Sequence, residues 1–133
     1  MNKRPRIHIE RSLLDYFVEA LGAVGLFALI ALPLYFYRYL PAEIPTHFNA
    51  LGEVDAYGSR GMIWLLPGVG LLIYLGLTIL NRYPHHFNYL VKVTESNAAR
   101  LYTTGTRIIR LAKVVIVLLF AFMSFKTIEF VLM

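Results

Sequence analysis

The chain is 133 residues long, 58% hydrophobic and 14% aromatic, with a mean hydropathy of +0.60 and a formal net charge of +5. A composition this apolar excludes an ordinary water-soluble domain of the same length and makes lipid the solvent for much of the chain. Cysteine is absent, which removes disulfides, thiolate metal sites and thiol nucleophiles from consideration.

Four basic residues, Lys3, Arg4, Arg6 and Arg11, precede an uncharged run of 18 residues from Ala20 to Tyr37. About 20 helical residues cross roughly 30 Å of hydrocarbon, so this run predicts a transmembrane helix over about 18–38. A cleavable signal peptide is the competing reading. The leader is long for one, and the run ends in Tyr35, Phe36, Tyr37 and Arg38 instead of a small-residue cleavage site, so the helix is expected in the mature protein. Gly22, Gly25 and Ala28 form a small-residue face suited to close helix packing, and Pro33 should kink or end the regular hydrogen bonding. Tyr16, Phe17, Tyr35, Tyr37, Tyr39, Trp64 and Tyr83 fall near span ends, as aromatic belt residues do.

The polar segment 39–60 is dense in turn formers. Leu40-Pro41 and Ile44-Pro45 push the chain into extended conformation. From Thr46 to Tyr57 the pattern suits a hairpin with a three-residue loop, Asn49 pairing with Glu53 and Gly52 in the left-handed position. His47 then falls opposite Asp55, with His47, Asn49, Glu53 and Asp55 on one face and Phe48 and Val54 on the other, toward the membrane surface or the helix ends. The polar face admits several readings. His47, Glu53 and Asp55 could hold a divalent metal, although a lone histidine is a weak ligand signal. The His47 and Asp55 pair could do acid/base work, yet no nucleophile stands beside it. A structural role, in which His47 bonds Asp55 and Asn49 closes the turn, and direct contact with an external ligand complete the set.

Gly61 to Leu80 is a second uncharged run, of 20 residues, and predicts a span over about 61–81. Pro67 interrupts it, and Gly68, Gly70 and Gly76 thin it for packing. In the following segment, 82–110, the adjacent His85 and His86 should point apart and read better as interfacial residues than as metal ligands. Thr94 suits a helix N-cap with Glu95 near the positive helix end, although Asn97 stands where a capping box has Glu or Gln. Ala98, Leu101, Tyr102, Gly105, Ile108 and Ile109 recur at helical spacing against Arg100, Arg107 and Arg110, predicting an amphipathic helix that feeds into a third span near Gly105. Only Val114 to Phe125 is uncharged there, so a span over about 111–132 requires Lys113 and Lys126 to snorkel toward opposite interfaces. Lys126 and Glu129, three apart, suit a surface pair near the outer end.

Lys and Arg concentrate before the first run and between Arg82 and Lys113, with Arg38 and Arg60 alone in the first loop. The positive-inside rule then places the N-terminus in the cytoplasm, the 39–60 loop outside, 82–110 inside and the C-terminus outside. The basic ends can meet anionic head groups, and without a nucleic-acid motif no nucleic-acid partner is expected.

The loop residues Leu40-Pro41, Ile44-Pro45-Thr46-His47-Phe48-Asn49, Gly52, Asp55 and Gly58 resemble the signature of a bacterial membrane family carrying a domain of unknown function. That family is related to the N-terminal half of SdpI-type immunity proteins. The similarity continues through Pro84, Asn88-Tyr89, Thr94-Glu95, Asn97, Arg100 and Tyr102, covering roughly residues 20–125. The resemblance implies a helical membrane protein whose better-known relatives confer immunity to a secreted toxic peptide and sequester a transcriptional repressor. Those relatives carry additional C-terminal helices, so a chain of three spans could act as a half-unit that completes its bundle by dimerising, or as a simpler sensor.

The expectation is a single all-α membrane domain of about three spans, with a hairpin-like outer loop and a cytoplasmic amphipathic helix, in the bacterial inner membrane. Its function is read as non-enzymatic binding of a secreted peptide or a cytoplasmic regulator, without a cofactor. Pro41, Pro45, His47, Asn49, Gly52, Asp55 and Gly58 shape the outer motif. Asn88, Thr94, Glu95, Asn97, Arg100, Tyr102 and Arg107 form the inner one, with Arg100, Tyr102 and Arg107 facing a partner. The alternatives are a metal-dependent membrane enzyme using His47, Glu53 and Asp55, and a small transport or accessory subunit using Lys126 and Glu129.

Overall fold

In the computed structural model, which describes residues 3–133, Ser12 opens the first helix. Its hydroxyl accepts from the Asp15 N–H at 3.2 Å while Asp15 Oδ2 accepts from the Ser12 N–H at 2.8 Å, a reciprocal cap that satisfies two otherwise orphaned donors. Helix α1 therefore runs Leu13–Phe36 and begins ahead of the start expected near residue 18. Pro33 does not end it, since the helix continues to Phe36 and the Tyr37 N–H donates to Pro33 O.

After a 3-10 turn at Tyr37–Tyr39, strands β1 (Glu43–Phe48) and β2 (Val54–Ser59) form the expected antiparallel hairpin. Asn49 N–H donates to Glu53 O at 2.8 Å and Gly52 has φ 80°, the backbone conformation that glycine adopts most easily. The register departs from the simple alternation. Glu43 stands across from Ser59 and Phe48 from Val54, but an irregularity between Pro45 and Phe48 sets His47 across from Ala56 in place of Asp55. Proline has no N–H for the ladder, and a local bulge beside it accommodates the loss.

A second 3-10 turn, Arg60–Trp64, leads into α2 (Leu65–Leu80). Pro67 lies in the first turn of α2, where its missing N–H costs nothing, so it starts the helix and does not kink it. The chain then passes a short turn at Pro84–His86 before α3 (Ala98–Leu132). The regular helix begins at Ala98, with Asn97 and not Thr94 at the cap position; Asn97 Oδ1 instead accepts from the Thr94 N–H at 2.7 Å in the preceding turn. The amphipathic segment and the third span are thus one unbroken helix, about 52 Å long at 1.5 Å per residue. Gly105 is not a junction. A Cβ there would stand 3.1 Å from the Phe87 ring and 3.2 Å from Tyr89 Oη, so glycine admits the two rings against α3.

Helix α3 packs along both α1 and α2, which touch each other much less. Cβ atoms added at Gly22 and Gly25 would lie 3.0 Å from Val114 Cγ2 and 2.9 Å from Leu118 Cδ2, and one at Gly70 would lie 2.6 Å from Leu29 Cδ2. Gly68 and Gly76 face open space, so of the three α2 glycines only Gly70 serves packing. Leu40, Ile44, Ile63 and Ile128 form a buried cluster that roots the hairpin in the helix ends. At the opposite end Val93, Ala98 and Tyr102 form a second one. With the adjoining 3-10 turns, the helical segments Leu13–Tyr39, Arg60–Leu80 and Ala98–Leu132 are each long and apolar enough to cross a bilayer, which makes this a multi-pass membrane protein.

Gly25→Val should destabilise the bundle by about 1–3 kcal/mol through overpacking against Leu118 and Val117. Gly76→Ala should be neutral or stabilising by up to about 1 kcal/mol. Unfolding in mixed micelles checks both; equal effects would contradict the packing of α1 on α3.

Candidate functional site

At the hairpin end, β1 and the last turns of α3 enclose an open groove of about 570 Å³. Phe48, Leu66, Phe122, Met123 and Phe130 line it with apolar surface, Phe48 meeting Phe130 edge to face with centroids 6.0 Å apart. His47, Lys126 and Glu129 supply polar groups to the same lining. His47 Nδ1 lies 2.6 Å from Asp55 Oδ1, and Lys126 Nζ lies 2.5 Å from Glu129 Oε2. Both pairs are substantially exposed, so each is worth at most about 1 kcal/mol to the fold. Asn49 closes the turn, its Oδ1 accepting from the Leu51 and Glu53 N–H groups at 2.9 and 3.0 Å. Pro45 is buried, Pro41 is exposed, and Gly58 leaves room for Thr46, whose Cγ2 would be 2.9 Å from an added Cβ. Among the described residues no three His, Asp or Glu side chains gather as a metal-holding group, so Glu53 does not join His47 and Asp55 as a ligand set.

The residues expected to form an inner face are not brought together. Tyr102 is fully buried and its hydroxyl donates to Pro5 O at 2.8 Å, so it cannot stand on the surface beside the exposed Arg100. Arg107 is turned toward α1. Asn88, Thr94 and Glu95 are exposed, and Asn97 is committed to the turn, its Nδ2 donating to Lys92 O at 2.9 Å. His85 and His86, expected to point apart, have ring centroids 4.2 Å apart because the tight Pro84–His86 turn gathers them. Burial, followed by the neighbouring His86 and Arg6 charges, lowers the His85 imidazole from its ordinary pKa. Arg4 ties this turn to the N-terminal stretch by donating to His85 O and Phe87 O at 3.1 and 2.5 Å.

The largest polar feature was not singled out by the sequence reading. Asp15 and Glu19, one turn apart on α1, face Arg107, Arg110 and Lys113 on α3. Asp15 Oδ1 accepts from Arg107 Nε at 3.1 Å and Arg110 Nη1 at 3.3 Å. Glu19 accepts from Arg110 Nε at 2.9 Å and from Lys113 Nζ at 2.8 Å. Lys113 is 1% exposed; it also donates to Thr78 Oγ1 on α2 at 3.1 Å and lies 4.6 Å from the Tyr74 ring centroid. The signal was present in the acidic stripe at i, i+4 and the basic stripe at i, i+3, but the two lie about 90 residues apart in sequence.

Glu19→Leu should cost about 3–5 kcal/mol because it strips Lys113 of its charged partner in a buried site. Adding Lys113→Met should recover most of that loss, since apolar residues of similar volume replace buried ion pairs well. A double-mutant cycle on unfolding free energy checks this, and additive losses would contradict the pairing.

Residues 24–71, from within α1 through the hairpin to the first turns of α2, match the family model described as "Domain of unknown function (DUF1648)". An uncharacterized protein of Archaeoglobus fulgidus is 38% identical over 81 residues, covering 53% of this chain and 44% of its own length. The chain thus spans less than half the length of that curated relative. No solved structure matches the chain. These matches support a membrane family defined by a domain of unknown function.

Proposed function

We propose that the chain is a non-enzymatic binding module of the cell membrane that takes an amphipathic peptide into the groove between hairpin and α3. The observation that carries this reading is the groove itself, an apolar floor of Phe48, Leu66, Phe122, Met123 and Phe130 edged by the His47–Asp55 hydrogen bond and the Lys126–Glu129 ion pair. Ligand sites combine such lining with a few polar groups that orient the guest. His47 beside Asp55 and Lys126 beside Glu129 give the edge both hydrogen-bond donors and acceptors, which suits a peptide backbone.

The distribution of Lys and Arg supports a cytoplasmic N-terminus and a hairpin on the outer side. A ligand of the groove then arrives from outside the cell, consistent with the immunity-type role and the bacterial inner membrane that the sequence resemblance implies. The repressor-sequestration role has less support, since Tyr102 is buried and Arg107 is engaged by Asp15, leaving Arg100 alone of that trio as a free surface residue. The metal-dependent hydrolase alternative has less support, since among the described residues no three His, Asp or Glu side chains gather around His47 and Asp55.

The absence of cysteine makes the orientation directly testable. A membrane-impermeant maleimide added to intact cells should label Leu51→Cys at the exposed loop tip, and should label Ser96→Cys only after permeabilisation. The reverse pattern would invert the topology.

For the ligand, a photo-cross-linking residue at Met123 should yield a peptide adduct in native membranes. Phe122→Ala should weaken its formation roughly 30-fold, the effect of truncating an aromatic anchor worth about 2 kcal/mol. Adducts of lipid alone, or a peptide adduct insensitive to Phe122→Ala, would sink the reading.

A further inference from the structure

A second cavity, distinct from the groove and at the opposite end of the bundle, is polar and holds about 250 Å³. Its walls come from the extended stretch around His8 to Arg11, the foot of α2 at Asn81 and Arg82, and α3 at Thr106 to Arg110. Four arginines line it, Arg11, Arg82, Arg107 and Arg110, against two acidic residues, Glu10 and Asp15. Two positive charges are left over. Arg107 and Arg110 are oriented by Asp15 and Glu19, which fixes the back of the cavity. Arg11 and Arg82 are exposed and, among the described residues, make no ion pair; Arg11 lies 5.9 Å from the Tyr16 ring centroid.

The position of these two arginines in the helices narrows what they meet. Arg11 is followed by Leu13, Leu14 and Phe17, all exposed, and Arg82 is preceded by Ile79 and Leu80, also exposed. Exposed apolar side chains beginning within a turn of each arginine put the cavity mouth where the hydrocarbon ends and the head groups begin. A guanidinium fork matches the oxygens of a phosphate, and the surplus charge favours an anion over a zwitterion. At about 30 Å³ per water-sized group the cavity has room for a tetrahedral phosphate and part of its substituent.

We propose that this cavity binds a phosphate-bearing anion through Arg11 and Arg82, with the head group of an anionic phospholipid as its source. Arg107 and Arg110 form its charged rear wall, so the same buried network that joins α1 to α3 also shapes the site. The reading stands independently of the peptide groove.

The test is native mass spectrometry of the full chain released from nanodiscs containing phosphatidylcholine and phosphatidylglycerol, with and without inorganic phosphate. Wild type should retain phosphatidylglycerol in preference to phosphatidylcholine, and Arg11→Gln/Arg82→Gln should reduce that retention roughly 10- to 30-fold, from about 1 kcal/mol per arginine. Neither side chain belongs to the buried network, so the variant keeps the fold; Lys92→Gln/Arg100→Gln removes the same charge elsewhere on this end and should leave retention unchanged. Retention that survives inorganic phosphate identifies the lipid head group as the source. Displacement of the lipid by inorganic phosphate identifies a soluble phosphate site and overturns the lipid assignment. Equal retention by wild type and Arg11→Gln/Arg82→Gln, or equal loss in both double variants, overturns the site altogether.

Discussion

Lys113 Nζ stands 2.8 Å from Glu19 Oε2 and 3.1 Å from Thr78 Oγ1, so a single ammonium group touches all three helices. An unpaired charge at that depth would be costly, and a buried pair is tolerated only when its remaining hydrogen-bonding groups are also satisfied. Asp15, Glu19, Arg107, Arg110 and Lys113 meet that condition as a set. Sliding α3 by one turn along α1, about 5.4 Å, would let one carboxylate find new partners in the basic stripe but strand the other, so the network favours the observed register of the two helices. Once that register holds, Gly22 falls against Val114 and Gly25 against Leu118, and the small-residue face finds the partner that justifies it.

The same set explains how a helix as long as α3 is divided. From Lys113 to Leu132 it has 20 residues, about 30 Å of rise, which matches the hydrocarbon thickness. The turns before Lys113 carry Arg107 and Arg110 and lie against the N-terminal stretch and the Pro84–His86 turn, held there by the Tyr102 bond to Pro5 O and the Arg4 bonds to His85 O and Phe87 O. Lys113 does not snorkel into water, as the charge pattern alone suggested; it is turned inward and neutralised by α1.

Features encoded locally were legible in the sequence. The apolar runs marked the three helices, and the Asn49 to Glu53 segment with Gly52 at its left-handed position marked the hairpin. The meeting of the His47 and Asp55 side chains was legible too, although the bulge beside Pro45 moved their backbone partners. What escaped was set by contacts distant in sequence. Asp15 and Glu19 look like ordinary acidic residues ahead of an apolar run, and Arg107, Arg110 and Lys113 look like a basic flank that fixes topology. Only their union shows why both stripes lie so close to lipid. Tyr102 fits both the apolar stripe and a partner-facing group with Arg100 and Arg107, and the contact with Pro5, 97 residues away, decides for the buried face.

The two ends of the bundle consequently differ in what their polar groups are for. At the basic end, removing one charge strands another in a buried site, so those residues are tied to stability. At the hairpin end, Ile44 is 1% exposed and roots the strands in a cluster with Leu40, Ile63 and Ile128, at about 1.5–3 kcal/mol for one buried aliphatic side chain. The exposed His47 and Asp55 pair contributes a fraction of that. The anchoring of the hairpin therefore rests on the apolar cluster more than on the pair. What the pair adds is polarity at the edge of an apolar groove, held there by strands that are anchored elsewhere.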